Sequence, residues 1–147
     1  MAIGSYQTNC YFVYREDSKK AVVIDPADNG AQIYSALERN GFTVEAILLT
    51  HGHFDHIWGT NELREVSGAK IYALDAEKVL CEDVKNNLSA MVGRAYTVVP
   101  DEYVREGQVL TFDNMDFKVI ATPGHTIGSC CYYVEKAGIL ISGDTLF

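Results

Sequence analysis

Apolar residues in this chain come in short runs that alternate with stretches repeating at helical spacing. Thr8 to Tyr14 and Ala21 to Asp25 are rich in β-branched and aromatic residues. The polar turn Glu16-Asp17-Ser18 separates them, which predicts a hairpin. From about Asn29 to Asn40, Ile33, Ala36 and Leu37 share one helical face; Asp28 is placed to cap its start, and Gly41 suits the left-handed residue beyond its end. Ala46 to Thr50 reads as a buried strand, Ile57 to Val66 as a helix closed by Gly68, and Lys70 to Leu74 as a further strand. Asp75 to Arg94 is weakly patterned and reads as helical. Gln108 to Phe112 and Met115 to Ala121 flank the turn Asp113-Asn114, a second hairpin. Ser129 to Val134 and Gly138 to Ser142 form the last strands, joined at Lys136-Ala137. Strands and helices mixed in this order imply an α/β fold of layered sheets covered by helices.

A length of 147 residues suits one domain with a real core, so residues 1–147 are read as a single domain. Hydrophobic content of 48% with 22% charged residues is an ordinary globular balance. Apolar stretches are too short to cross a bilayer, and Met1 to Ser5 has neither the basic region nor the apolar core of a secretory signal. A cytoplasmic protein without a membrane partner is expected. The formal charge of -8 argues against nucleic acid as partner, because phosphate backbones need clustered Lys and Arg. Cys10, Cys81, Cys130 and Cys131 form no C-x-x-C pair and read as reduced, packed thiols rather than a redox switch or nucleophile.

The chemistry concentrates in Thr50-His51-Gly52-His53-Phe54-Asp55-His56, directly after an apolar strand. Three of the chain's four histidines fall here with an aspartate. Imidazoles and carboxylates this dense call for something positive between them, and a divalent metal ion is the simplest candidate. His125 follows another strand in Thr122-Pro123-Gly124-His125-Thr126, and Asp144 follows a third in Ser142-Gly143-Asp144-Thr145. Loops at strand ends converge in open α/β sheets, so the three segments predict one site. Alone, His125 or Asp144 would be an ordinary turn residue. Phe54 and Trp58 read first as packing, and Tyr6-Gln7-Thr8-Asn9 as a strand start from which Asn9 could orient the metal loop.

These motifs, with Gly4-Ser5-Tyr6-Gln7-Thr8-Asn9-Cys10-Tyr11, resemble the metallo-β-lactamase superfamily, and within it the glyoxalase II-like branch of hydroxyacylglutathione hydrolases. The resemblance runs over essentially the whole chain and implies an αββα sandwich. It implies that His51, His53 and His125 hold one metal, that Asp55 and His56 hold a second, and that Asp144 bridges both. Two divalent ions are expected, zinc first, with iron or manganese as alternatives. The implied reaction is hydrolysis of a small-molecule thioester such as an acyl-glutathione, with Asp55 also accepting a proton. Thr126 or Thr145 would orient ligands. A single-iron persulfide dioxygenase, a lactonase and a silent metal-binding domain share the scaffold as alternatives. The sequence stops three residues after Asp144, before the strand, helix and late histidine of the family pattern. A shortened domain is therefore expected, with a weaker second metal position and a sheet edge open to self-association.

Overall fold

In the computed structural model, which describes residues 1–146, the chain opens with a two-stranded antiparallel ribbon, β1 (Ala2–Ile3) and β2 (Thr8–Asn9). The expected strand from Thr8 to Tyr14 breaks at Cys10, whose N–H donates to the Met1 carbonyl. β3 (Tyr11–Tyr14) thus joins a different sheet, where it pairs with β4 (Lys20–Ile24) as the predicted hairpin. From β4 the chain crosses through α1 (Gly30–Arg39) to β5 (Thr43–Leu48). It crosses again through α2 (Phe54–Ile57) and α3 (Thr60–Ser67) to β6 (Lys70–Leu74). Both crossovers link parallel neighbours, as connections of that length do. After α4 (Lys78–Cys81), β7 (Glu102–Val104) adds parallel to β6.

The five-stranded sheet runs β3-β4-β5-β6-β7. A four-stranded antiparallel sheet in the order β11-β10-β9-β8 is built from β8 (Val109–Phe112), β9 (Met115–Ala121), β10 (Cys130–Val134) and β11 (Ile139–Ile141). Asp113 and Asn114 both take positive φ, which gives the β8–β9 turn the twist a two-residue hairpin requires.

Successive side chains of a strand point to opposite faces, and in β4 and β5 both faces are apolar, the mark of a sheet covered twice. Ala21, Val23, Ile47 and Leu49 face Ile33 and Leu37 of α1 and Leu63 of α3. Val22, Ile24, Ala46 and Leu48 face Phe117, Val119, Tyr132 and Val134 of the second sheet. Among the described residues the result is helix on sheet on sheet, three of the four layers of the expected αββα sandwich. Each large core side chain such as Phe117, fully buried, contributes about 1.5–3 kcal/mol through the water it sheds. All four cysteines are buried and unpaired. Burial lifts the Cys10 and Cys130 thiols to about 12 and Cys81 higher still, so packing describes them better than reactivity.

Four local expectations need correction. Asp28 does not cap α1; Asn29, in the left-handed region, occupies that position, and the Asp28 carboxylate binds the Asn29 N–H and the Arg94 guanidinium instead. The helix expected from Ile57 to Val66 is two helices, α2 and α3. Gly59 separates them, because its N–H donates to the Pro26 carbonyl and a Cβ there would press on Pro26 and Asp28 backbone oxygens. Asp75 to Arg94 is not one helix: two 3-10 turns, Asp75–Glu77 and Ser89–Val92, flank α4 and a looped stretch. Its Asp and Asn side chains bind nearby backbone, as Asp83 does at Lys85 and Asn86, which competes with helix. β7 was not expected at all.

Candidate metal centre

Every predicted site residue lies at one end of the sandwich, past the carboxyl ends of strands. β5 ends at Leu48 and delivers His51 and His53, with Asp55 and His56 following in the first turn of α2. His125 follows β9, and Asp144 follows β11. Two contacts latch the sheets together there: the Cys130 N–H donates to the Thr50 carbonyl at 2.9 Å, and the Tyr132 hydroxyl to the Leu49 carbonyl at 2.6 Å. Gly143 brings the last loop close. Its φ is +51°, and any Cβ would collide with the Thr50 side chain.

One nitrogen each from His51, His53 and His125 lie within 4.8 Å of one another, with His53 Nδ1 and His125 Nε2 at 3.0 Å. Asp144 stands between this triad and His56. Its Oδ2 is 3.2 Å from His125 Nε2 and 3.9 Å from His51 Nε2, while its Oδ1 is 3.2 Å from His56 Nε2. Asp55 Oδ2 lies 3.7 Å from the same His56 nitrogen and accepts the Thr8 hydroxyl at 2.7 Å. All six predicted residues therefore meet, with one carboxylate facing two histidine groups.

Electrostatics divide the histidines. Burial, then His56 and His53, hold His51 far below the ordinary imidazole range; burial and His125 lower His53. Burial also opposes charge on His56, but its hydrogen bonds to Asp144 and Asp25 prevail and raise it to about 10. The His56 contact in turn pulls Asp144 down to about 2. The Asp25 and Asp144 carboxylates thus favour the charged form of His56.

Two buried acids were absent from the sequence expectations. Asp25, at the end of β4, accepts the Thr50 N–H at 2.8 Å with Oδ1; with Oδ2 it meets the Thr50 hydroxyl at 2.5 Å and His56 Nδ1 at 2.9 Å. Glu77 accepts the Gly52 N–H, the Thr126 hydroxyl and the Gly128 N–H, each at 2.7 Å. Asp25, His51 and His56 also come within 4.8 Å of one another. Asp25's oxygens are already committed to Thr50 and His56, so it orients rather than ligates. Neither expected threonine hydrogen-bonds one of the six predicted metal ligands: Thr126 binds Glu77 and Ser129, and Thr145 binds Thr122. Thr8, rather than Asn9, reaches the loop. Phe54 and Trp58 pack together under Tyr6, as expected of packing residues.

These residues fit a divalent cation. The Thr50 hydroxyl has one hydrogen, which goes to Asp25, so its oxygen takes the Nδ1–H of His51 at 3.2 Å. That fixes the His51 tautomer and leaves the Nε2 lone pair aimed into the cluster. Nε2 is buried and has no hydrogen-bond partner among the described residues. An orphaned neutral nitrogen among carboxylates and imidazoles is an unexplained cost in a core, but what a metal position requires.

The family model of the metallo-β-lactamase superfamily matches residues 3–147. The chain belongs to the metallo-β-lactamase superfamily. Membership implies divalent metal ions and places the chain, coarsely, among metal-dependent hydrolases. A probable metallo-hydrolase, YqgX of Bacillus subtilis, is 38% identical over all of this chain and 70% of its own length. The hydroxyacylglutathione hydrolase of Brucella ovis is 34% identical over 92% of this chain, which spans only half of that enzyme. Among solved superfamily structures, BLEG-1 B3 metallo-β-lactamase superposes with a TM-score of 0.91 at 38% identity, over 99% of this chain and 71% of its own. TTHA1623, in a di-iron-bound form, gives 0.84 at 31% identity, over 100% and 72%. Among the described residues, no helix is long and apolar enough to cross a bilayer.

Proposed function

We propose that the chain is a dinuclear metal hydrolase acting on small-molecule thioesters. In this reading His51, His53 and His125 would hold one ion, Asp55 and His56 a second, and Asp144 would serve both. The observation that carries it is the split of Asp144: Oδ2 toward His51 and His125, Oδ1 toward His56. A single ion on the His51 side would leave Asp55 and His56 to hydrogen bonds alone. Two divalent ions there would bring the pKa of a water near neutrality and polarise a carbonyl oxygen.

The chain's own residues supply the rest. A cleft of about 580 Å³ opens beside Asp55, His56 and Asp144, walled by Tyr6, Thr8 and Tyr11. The larger hollow beside α1, lined by Met1, Ile33 and Arg39, holds none of these groups. A thioester carbonyl in the first cleft faces Asp55, whose Oδ2 is held by Thr8. The water oxygen adds to the carbonyl carbon and its proton passes to Asp55. Re-forming the carbonyl then breaks the carbon–sulfur bond, and the thiolate departs without needing an acid.

The thioester class rests on the likeness to hydroxyacylglutathione hydrolases. Zinc is the first choice of ion, with iron also supported by the di-iron relative. Turnover of acyl-glutathione and other acyl-thiols by the metal-loaded chain, against a β-lactam, a lactone and a phosphodiester, tests the reading. Metal-dependent thioester cleavage is expected. Cleavage of another class in its place, or silence toward all of them at two ions per chain, overturns it.

A further inference from the structure

Glu77 has no part in the chemistry just described, yet its position is unusual. It lies on the 3-10 turn before α4, fully buried, and its oxygens reach one loop 49 to 51 positions further along and another 25 positions back. Oε1 accepts the N–H of Gly52, the residue between His51 and His53. The same oxygen accepts the hydroxyl of Thr126, next to His125, and Oε2 accepts the N–H of Gly128 in that loop. A carboxylate removed from water is costly unless its oxygens are satisfied, and here the donors come from both histidine loops.

The glycines give an independent sign that this contact is built. A Cβ on Gly128 would collide with the Glu77 backbone nitrogen, and a Cβ on Gly52 would stand 3.1 Å from Cys81 N and Leu80 Cβ. Both loops thus bring bare backbone against the segment carrying Glu77, close enough for their N–H groups to reach one side chain.

We infer that Glu77 is a positioning residue that ties the His51–His53 loop to the His125 loop, holding the three histidines converged before metal arrives. It touches no imidazole and acts through Gly52 and Thr126. This rests on the proposed assignment of those histidines as ligands. Preorganisation of this kind strengthens binding, because the chain does not spend binding energy on ordering two loops.

Glu77→Gln keeps the volume but replaces one acceptor oxygen with an NH₂ group that faces a backbone N–H. Zinc affinity of the full chain, measured by competition with a chromophoric chelator, should fall by about tenfold to a hundredfold. The visible bands of the cobalt-loaded protein should shift. Val119→Ala, cut from the core between the sheets, should lower the melting temperature and leave both readings unchanged. A role in stability alone predicts that Glu77→Gln behaves like Val119→Ala; affinity within about twofold of the parent, with an unchanged cobalt spectrum, overturns the inference. Should Glu77→Gln fail to fold, Thr126→Val removes only the hydroxyl tie and should weaken zinc by about threefold; an unchanged affinity in that folded variant is equally fatal. None of these readings uses a substrate, so absence of thioester turnover in the parent would sink the proposed reaction and leave this inference standing.

Discussion

Asp25 Oδ2 lies 2.9 Å from His56 Nδ1, and the same oxygen takes the Thr50 hydroxyl at 2.5 Å. One buried carboxylate therefore orients two imidazoles, His56 directly and His51 through Thr50. Asp25→Ala strands the Thr50 N–H and His56 Nδ1–H in a closed interior. Breaking a buried pair of this kind costs about 3–5 kcal/mol, to be read from urea unfolding of the metal-free chain. Metal affinity should fall too, since the His51 tautomer is no longer dictated.

Metal and stability should be linked. Zinc at about a hundred times its dissociation constant should add about 2.7 kcal/mol, seen as a higher melting temperature in calorimetry and reversed by a chelator. His51→Ala removes the orphaned nitrogen and should abolish most of that gain. An equal zinc response in parent and variant would place the ion elsewhere.

Gly143 and Gly41 separate two effects of positive φ. Both occupy the left-handed region, but Gly41 has open space where a Cβ would go and Gly143 has Thr50. Gly41→Ala should cost about 1 kcal/mol, the conformational term alone. Gly143→Ala should cost about 2–4 kcal/mol and reduce bound metal, because relief of the collision moves Asp144. Chemical denaturation and metal analysis of the two variants check the contrast.

The Asp28–Arg94 pair should show in the acid limb of stability. Two 3.0 Å hydrogen bonds from Arg94, aided by the Asn29 N–H and opposed by burial, lower the Asp28 carboxyl below its usual range. A carboxyl lowered on folding stabilises above its unfolded pKa of about 3.9 and loses that contribution as pH falls through the folded value. Arg94 is half exposed, which limits the neutral-pH effect to about 1 kcal/mol or less. The stability gap between the parent and Asp28→Asn should therefore be small at neutral pH and close in acid.

The site was legible in sequence where chemistry repeats locally. His51, His53, Asp55 and His56 stand within six positions; the strand-end rule points to His125 and Asp144, which become ligands through the motif order of the family resemblance. Asp25 obeys the same rule, standing between the apolar run Ala21–Ile24 and Pro26, but a lone aspartate before a proline looks like any turn. Glu77 had no local signal: Asp75-Ala76-Glu77-Lys78 reads as a solvated helix start, and its burial is decided by glycines 25 and 51 positions away. β7 escaped because its three residues show no alternation, and its pairing to β6 is tertiary. Gly59 falls inside the single helix expected from Ile57 to Val66, because close backbone approach to Pro26 leaves no mark in helical periodicity.

The Tyr132 hydroxyl on the Leu49 carbonyl has a consequence for the order of events during synthesis. Ribosomes deliver the His51–His56 segment well before β10 is made, so β5 first emerges with one apolar face wet and its last carbonyls uncovered. Only when β9 and β10 have folded back do Leu49 and Thr50 acquire their lids, and Asp144 arrives later still. A metal ion meeting the nascent chain early finds a loose histidine loop; the pocket is whole only once Asp144 has joined the two histidine loops.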